Sequence, residues 1–342
     1  MDVLRSMAES KGVELRSSLA HPVPHHLRFE RPPSIEPAGL MTLETGEHIE
    51  VTTKYYDYGV VSIELELPCE GDWDSMVLQC SRWINAAELE NRSNDLLSIA
   101  LKRVGRALVR PYKNWLREDY FIVHLPEIVE SDSKTLAAGE LLASRAREIG
   151  QLVRGDSVPL SDAERQEVLQ SSISYSRTDL LVVGWTGALV YGSTEVAEMT
   201  IQVLEYANTQ LLEFRHYDSL LTQLLDGVYR SLERKGGVIA AWRLSREAAR
   251  LNTIRLDVME LTEKVDNAIK FLSDMFYARL YNLVAAKVGV PDYRRLVDQK
   301  LRTAGELYRF MVDQFNQTRS FVLELAVVII LIIEFFFLFR GK

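Results

Sequence analysis

Residues 321–339 read FVLELAVVIILIIEFFFLF. All 19 are apolar except Glu324 and Glu334, and Arg340-Gly341-Lys342 follow. At about 1.5 Å per residue a helix of this length spans roughly 28 Å, close to the thickness of a bilayer's hydrocarbon core. No other segment approaches this length without charge. The stretch predicts a single C-terminal transmembrane helix, with everything before it a soluble body tethered by its tail.

The 342 residues suffice for one large or two ordinary domains. A net charge of -8 excludes a generic nucleic-acid binder, so nucleic acid is not expected as the main ligand. Cys69 and Cys80 are the only cysteines; they fit no CxxC or zinc spacing and read as ordinary reduced thiols. The opening MDVLRSMAESKGVELRSS lacks the apolar core of a signal peptide, so an uncleaved tail anchor is expected instead. Lys300, Arg302, Arg309 and Arg319 precede the span, against Arg340 and Lys342 after it. That bias, and the small tail to be moved, place the body in the cytoplasm (or an organelle interior that descends from one). The expectation is a single-pass, tail-anchored protein of the inner or cytoplasmic membrane.

The chain divides on pattern. Residues 1–45 read as a flexible Pro-rich arm, with HPVPHH at 21–26 and RPPSIEP at 31–37. His21, His25 and His26 have no acidic or Cys partner nearby, so no metal is expected. Residues 46–193 read as an α/β domain. IEVTTKYYDYGVVSIELEL, from Ile49, alternates as a strand, with Gly59 marking a bulge or close backbone approach. Asp72 caps a helix carrying Trp73, Val77, Trp83 and Ile84, and a second helical stretch covers about 95–109. YFIVHL at 120–125 is a short strand, 136–152 is helical, and Ser161 begins another helix with a capping-box pattern. Strands at 179–184 and 188–191 flank Trp185-Thr186-Gly187 as a hairpin. One sheet with helices packed on it is expected here.

Residues 194–290 read as a long antiparallel helical hairpin. Leu204, Ala207, Leu211, Phe214, Asp218, Leu221, Leu225, Val228 and Leu232 recur at steps of three and four. Gly236-Gly237 interrupts, and Leu244, Leu251, Ile254, Val258, Leu261, Val265, Ala268 and Leu272 resume, which is coiled-coil spacing on both arms. Gly289 and Pro291 end one helix and start the next. Residues 291–320 form a stalk helix with Leu301, Ala304, Tyr308, Met311, Phe315 and Thr318 in heptad register. The register continues through Val322, Leu325, Ile329, Ile332 and Phe336 of the transmembrane helix at 321–339. The fold class is therefore α+β: a mixed body, a coiled-coil hairpin and a C-terminal membrane helix. A seam shared by both parts of the last helix favours a homo-oligomer over intramolecular packing alone.

Two polar features stand out. Glu324 and Glu334 lie within about 80° of each other on a helix, away from the a/d seam. They read as a ring of carboxylates that conducts cations, as a protonated and hydrogen-bonded pair, or as groups snorkelling toward Arg340; the last two are favoured. Around Gly236-Gly237, Arg230, Arg234, Lys235, Arg243, Arg246 and Arg250 surround Trp242. This basic tip reads as a contact for anionic lipid, or for RNA or a ribosome, against a plain solvated helix turn.

The sequence carries no recognisable catalytic motif. Gly184-Trp185-Thr186-Gly187 lacks the ending of a phosphate-binding loop, and no GxGxxG, HExxH or GxSxG occurs. Glu213-Phe214-Arg215-His216-Tyr217-Asp218 is dense and polar, but such helix pairs usually stabilise or dock helices. No catalytic residue, cofactor or metal site is assigned, and the chain is not expected to be an enzyme.

Tyr56-Asp57-Tyr58-Gly59-Val60-Val61 resembles the FDYGVVVF-type strand of the RMD/YagE-like family (required for meiotic nuclear division), a domain of unknown function. Leu323-Glu324 and Leu331-Ile332-Ile333-Glu334 resemble that family's LEW-I-LI-IE tail, with Leu325 where the family has Trp. SIELEL also ends the strand less apolarly than the family's pattern. The resemblance spans about 49–339 and implies a distant bacterial member with the same topology. Its mitochondrial relatives are inner-membrane tethers supporting organellar translation. The resulting expectation is a membrane-anchored, homo-oligomeric scaffold that recruits a protein or ribosome partner to membrane lipid. The alternatives are a cation or proton conductor using Glu334, and an enzyme with an unrecognised site in the α/β body.

Overall fold

Ile49, Val51, Thr53 and Tyr55 alternate onto one covered face of a strand, as period-two patterning requires. In the computed structural model, which describes residues 16–17, 32–108, 115–129, 134–233, 246, 248–260, 262–263 and 275–340, that strand stops at Tyr55. The expected single strand from Ile49 is two: β3 (His48–Tyr55) and β4 (Val61–Glu66), paired antiparallel. The reversal falls on Tyr56-Asp57-Tyr58-Gly59. The Gly59 N–H donates to the Tyr56 carbonyl at 3.1 Å, and the Tyr56 N–H to the Val60 carbonyl at 2.9 Å. Gly59 takes a φ of 98°, so it makes a turn and not a bulge.

The Pro-rich arm is corrected in part as well. Ser34–Thr42 forms β2, and β1 (Arg16–Ser17) pairs with it. Proline is accommodated because the register slips between Pro37 and Gly39, the bulge position at which a strand tolerates a missing donor. His21, His25 and His26 lie outside the described residues.

The chain splits into two compact units, Met1–Glu213 with Val265–Pro291, and Phe214–Lys264 with Asp292–Lys342. The first contains two four-stranded sheets, where one was expected. The first sheet runs β1-β2-β3-β4. Helix α2 (Ala87–Val104) lies against it, burying Ala100 and Val104 with Tyr55, while Leu89 and Leu96 pack on Ile49 and Val51. The second sheet has the order β5 (Phe121–Leu125), β8 (Gly187–Tyr191), β7 (Leu180–Val183), β6 (Ser172–Ile173). β5 runs parallel to β8; the other pairs are antiparallel. Both β7 and β8 are buried throughout, so they show no alternation.

Helices α1 (Trp73–Ile84), α3 (Ala138–Ser144), α4 (Ala146–Arg154) and α5 (Asp162–Gln170) close this core. Asp72 caps α1 by accepting the Ser75 N–H at 2.9 Å, and Ser161 caps α5 by accepting the Glu164 N–H at 3.3 Å. Ile149, Leu152 and Val153 of α4 pack on Leu189 and Val182, with Leu141, Val168 and Val77 around them. Residues 194–213 of α6 (Thr194–Glu233) and helix α8 (Met275–Val288) complete the unit.

In the second unit, Leu224, Leu225 and Val228 of α6 form a core with Ala248 and Leu251 of α7 (residues 248–260) and with Ala304 and Met311 of α9 (Val290–Arg340). Asp218 accepts an ion pair from Lys300 at 2.6 Å, and Arg215 lies 5.9 Å above the Tyr293 ring. Arg215 and Asp218 of the polar run 213–218 thus dock α6 on α9. The fold class is α+β, with mixed sheets and helices first and long helices packing together after.

The expected membrane anchor is overturned. Among the described residues no helix is long and apolar enough to cross a membrane. Residues 321–336 continue α9 as exposed helix. Glu324 and Glu334 divide the stretch, and the nine residues Leu325–Ile333 between them cover only about 14 Å. The single-pass topology, the inner-membrane localisation, the membrane-tethered scaffold and the conductor built on Glu334 fall with it. Both glutamates are exposed on α9.

Candidate binding site at the tip of the second sheet

The β7–β8 connection is Gly184-Trp185-Thr186, and it has no room for other backbones. The Gly184 N–H donates to the Gly187 carbonyl at 2.8 Å, and the Phe121 N–H to the Thr186 carbonyl at 3.2 Å. A Cβ on Gly184 would lie 2.6 Å from Val153 Cγ1 and 2.9 Å from the Gly187 carbonyl oxygen. One on Gly187 would lie 2.2 Å from the Phe121 ring. The Tyr120 hydroxyl adds a bond to the Gly184 carbonyl at 3.1 Å. With its backbone pinned from both sides, the turn projects Trp185 outward, and its residue surface is 58% exposed.

Beside the indole lies a basin of about 250 Å³, lined by Arg154, Glu164, Glu167, Val168, Gly184, Trp185 and Lys287. Helix ends supply three of its four charges. Arg154 and Lys287 occupy the last turns of α4 and α8, and Glu164 the first turn of α5, each with the sign that its helix dipole favours. The charges are paired: Arg154 with Glu164, and Lys287 with Glu167. The hydrogen bond from Lys287 holds the Glu167 carboxyl below its ordinary range. Gly289, at φ 94°, ends α8 next to Trp185, where an added Cβ would sit 3.8 Å from the indole. The lining offers no hydroxyl, thiol or imidazole. What it offers is a fixed aromatic plate ringed by two cations and two anions.

Several other polar groups among the described residues hold this unit together. Lys54 Nζ lies 2.6 Å from Glu205 of α6 and 2.9 Å from Glu64. Ser62 donates to the second Glu205 oxygen at 2.6 Å. The Tyr58 hydroxyl meets Thr209 Oγ1 at 2.7 Å, and Thr209 donates onward to the Tyr206 carbonyl. Burial opposes the charge on Lys54, but Glu205 and Glu64 outweigh it and raise its pKa. That is the reverse of what a nucleophilic lysine needs. Burial pushes the Cys80 thiol up to about 12 and raises Cys69 also, so neither carries thiolate at neutral pH. Among the described residues no group of three or more His, Cys, Asp or Glu is placed to hold a metal ion.

Of the basic tip, Arg230, Arg246 and Arg250 are exposed, while Arg234, Lys235, Trp242 and Arg243 lie outside the described residues. Trp185 went unassigned in the sequence reading. The signal that could have found it is a large aromatic enclosed by glycines at a hairpin tip, a place where burial cannot account for it.

The profile of a family described as the N-terminal domain of uncharacterized protein MJ0711 matches residues 2–198. A relative of the same description, from Methanocaldococcus jannaschii, is 22% identical over 184 residues, which cover 54% of this chain and 56% of the relative. The chain thus spans little more than half the length of that protein. No solved structure matches. This overturns the RMD/YagE-like resemblance. Its central motif, Asp57-Tyr58-Gly59, is turn chemistry that any tight hairpin with a positive-φ glycine selects. Six of the seven basin residues fall inside the matched segment; Lys287 lies beyond it.

Proposed function

The chain belongs to the family of the N-terminal domain of uncharacterized protein MJ0711, and we propose that it is a non-catalytic binding protein whose first unit receives a protein partner at the Trp185 basin. The observation that carries this reading is the exposed indole on a turn that Gly184 and Gly187 lock in place. Binding energy at protein interfaces concentrates on such rigid aromatics, because they bury a large area while losing little side-chain freedom. The rim charges balance, so the fitting partner sets an apolar side chain on the indole and presents groups of both signs around it. Nucleic acid fits less well, since each cation here already faces a carboxylate.

Photo-crosslinking in the host cell tests this, with Trp185→p-benzoylphenylalanine in the full chain and Leu40→p-benzoylphenylalanine as a still more exposed control on the other sheet. A discrete protein adduct from position 185, absent from position 40 and weakened by Lys287→Glu, is expected. The same adducts from both positions, or none from 185, would overturn the reading.

A further inference from the structure

Helix α9 changes character along its length. Ala304 and Met311 are fully buried on Leu224, Val228 and Leu251 of the same unit. From Phe321 to Phe336, thirteen large apolar side chains are 38–71% exposed. They are distributed around the helix and not confined to one face. Their exposed surface is on the order of 1,000 Å² or more, above the roughly 800 Å² that each partner contributes to a standard stable interface. An ordinary monomer exposes apolar patches of about 300–600 Å² at most.

We infer that this segment packs in parallel, in register, against the same segment of other copies of this chain. The register shows which face does it. Ala304 and Met311 occupy seam positions that the chain itself covers, and the same steps of three and four lead on to Val322, Leu325, Ile329, Ile332 and Phe336. The apolar seam therefore outlasts its internal partner without a change of phase. Its charges agree with self-association. Glu324 and Glu334 fall at outward positions of the heptad, so parallel copies bring no carboxylates together at the seam. The flanking positions, where two-stranded coiled coils carry charge, hold Phe321, Ala326, Val328, Ile333 and Phe335. Apolar flanks widen the contact beyond a two-stranded seam, so three or more copies are expected.

Sedimentation equilibrium of the full chain is the test. A mass at a multiple of 39.1 kDa is expected. Ile329→Asn with Ile332→Asn, on the seam, should return it to one protomer. Ile330→Asn with Leu331→Asn, two positions off the seam with the same loss of apolar surface, should leave it assembled. Far-ultraviolet circular dichroism confirms that each variant is folded. A monomeric full chain would overturn self-association. Equal dissociation by both pairs would overturn the seam, and assembly unaltered by the seam pair would place the contact elsewhere on the molecule.

Discussion

A methyl group at residue 184 has nowhere to go: it would meet Val153 Cγ1 at 2.6 Å and two carbonyl oxygens at 2.9 and 3.0 Å. Backbone atoms cannot step aside as a side-chain tip can, so Gly184→Ala should destabilise the protein by about 1–3 kcal/mol. Gly227 is the converse, a helical glycine with nothing within 4 Å of an added Cβ. Gly227→Ala should stabilise by about 0.5–1 kcal/mol. Urea denaturation of the two variants beside the parent reads both signs. The Cys80 thiol, raised by burial to about 12, should resist alkylation at pH 8 until the protein is unfolded, as mass spectrometry of iodoacetamide-treated samples would show.

The first sheet is tied to α6 by a charge cluster. Lys54 is 7% exposed and faces Glu205, whose side chain is 14% exposed. Lys54→Met leaves Glu205 buried without its cation and should cost about 3 kcal/mol or more. Adding Glu205→Met should restore part of that loss, a non-additivity that a double-mutant cycle by denaturation measures directly. Because the Lys54 pKa is raised on folding, its contribution is complete below the ordinary value of 10.5 and is lost as pH rises through the folded value. The helix caps and turns were legible beforehand. Asp72, Ser161 and Gly289 act through bonds to residues three or four positions away, so the sequence states them locally. The β3–β4 reversal is hidden in the sequence because Tyr56, Tyr58 and Val60 alternate with Asp57 and Gly59, so a period of two runs on through the turn although its phase inverts there.

For the whole molecule, acid is the informative variable. Burial lowers the His216 pKa below 6.5, so the unfolded chain takes up a proton that the native state refuses. Stability should therefore fall as pH drops below about 6.5, and His216→Gln should flatten that part of the curve. Glu167 acts lower down. Its pKa is held below 4.5, so the Lys287 pair supports the fold above that value and is lost as pH falls through the folded one. The effect is small, since Glu167 is exposed. Thermal melts from pH 8 to pH 3 separate the two windows.

Short range controls the α+β class, the capped helices, the β7–β8 hairpin and the seam repeat of the long helices, and these are read from the residues alone. Each is set by φ/ψ preference or side-chain period within a few residues. Tertiary structure decided what depends on distant neighbours. It made β5 a parallel partner of β8 and divided the strands between two sheets. It set Lys54 on Glu205 across 151 residues and built a basin from three helices and one turn. It also decided where the α9 seam finds a partner in its own chain and where it does not. Apolar periodicity states that a face will be covered; only the packed chain states by what.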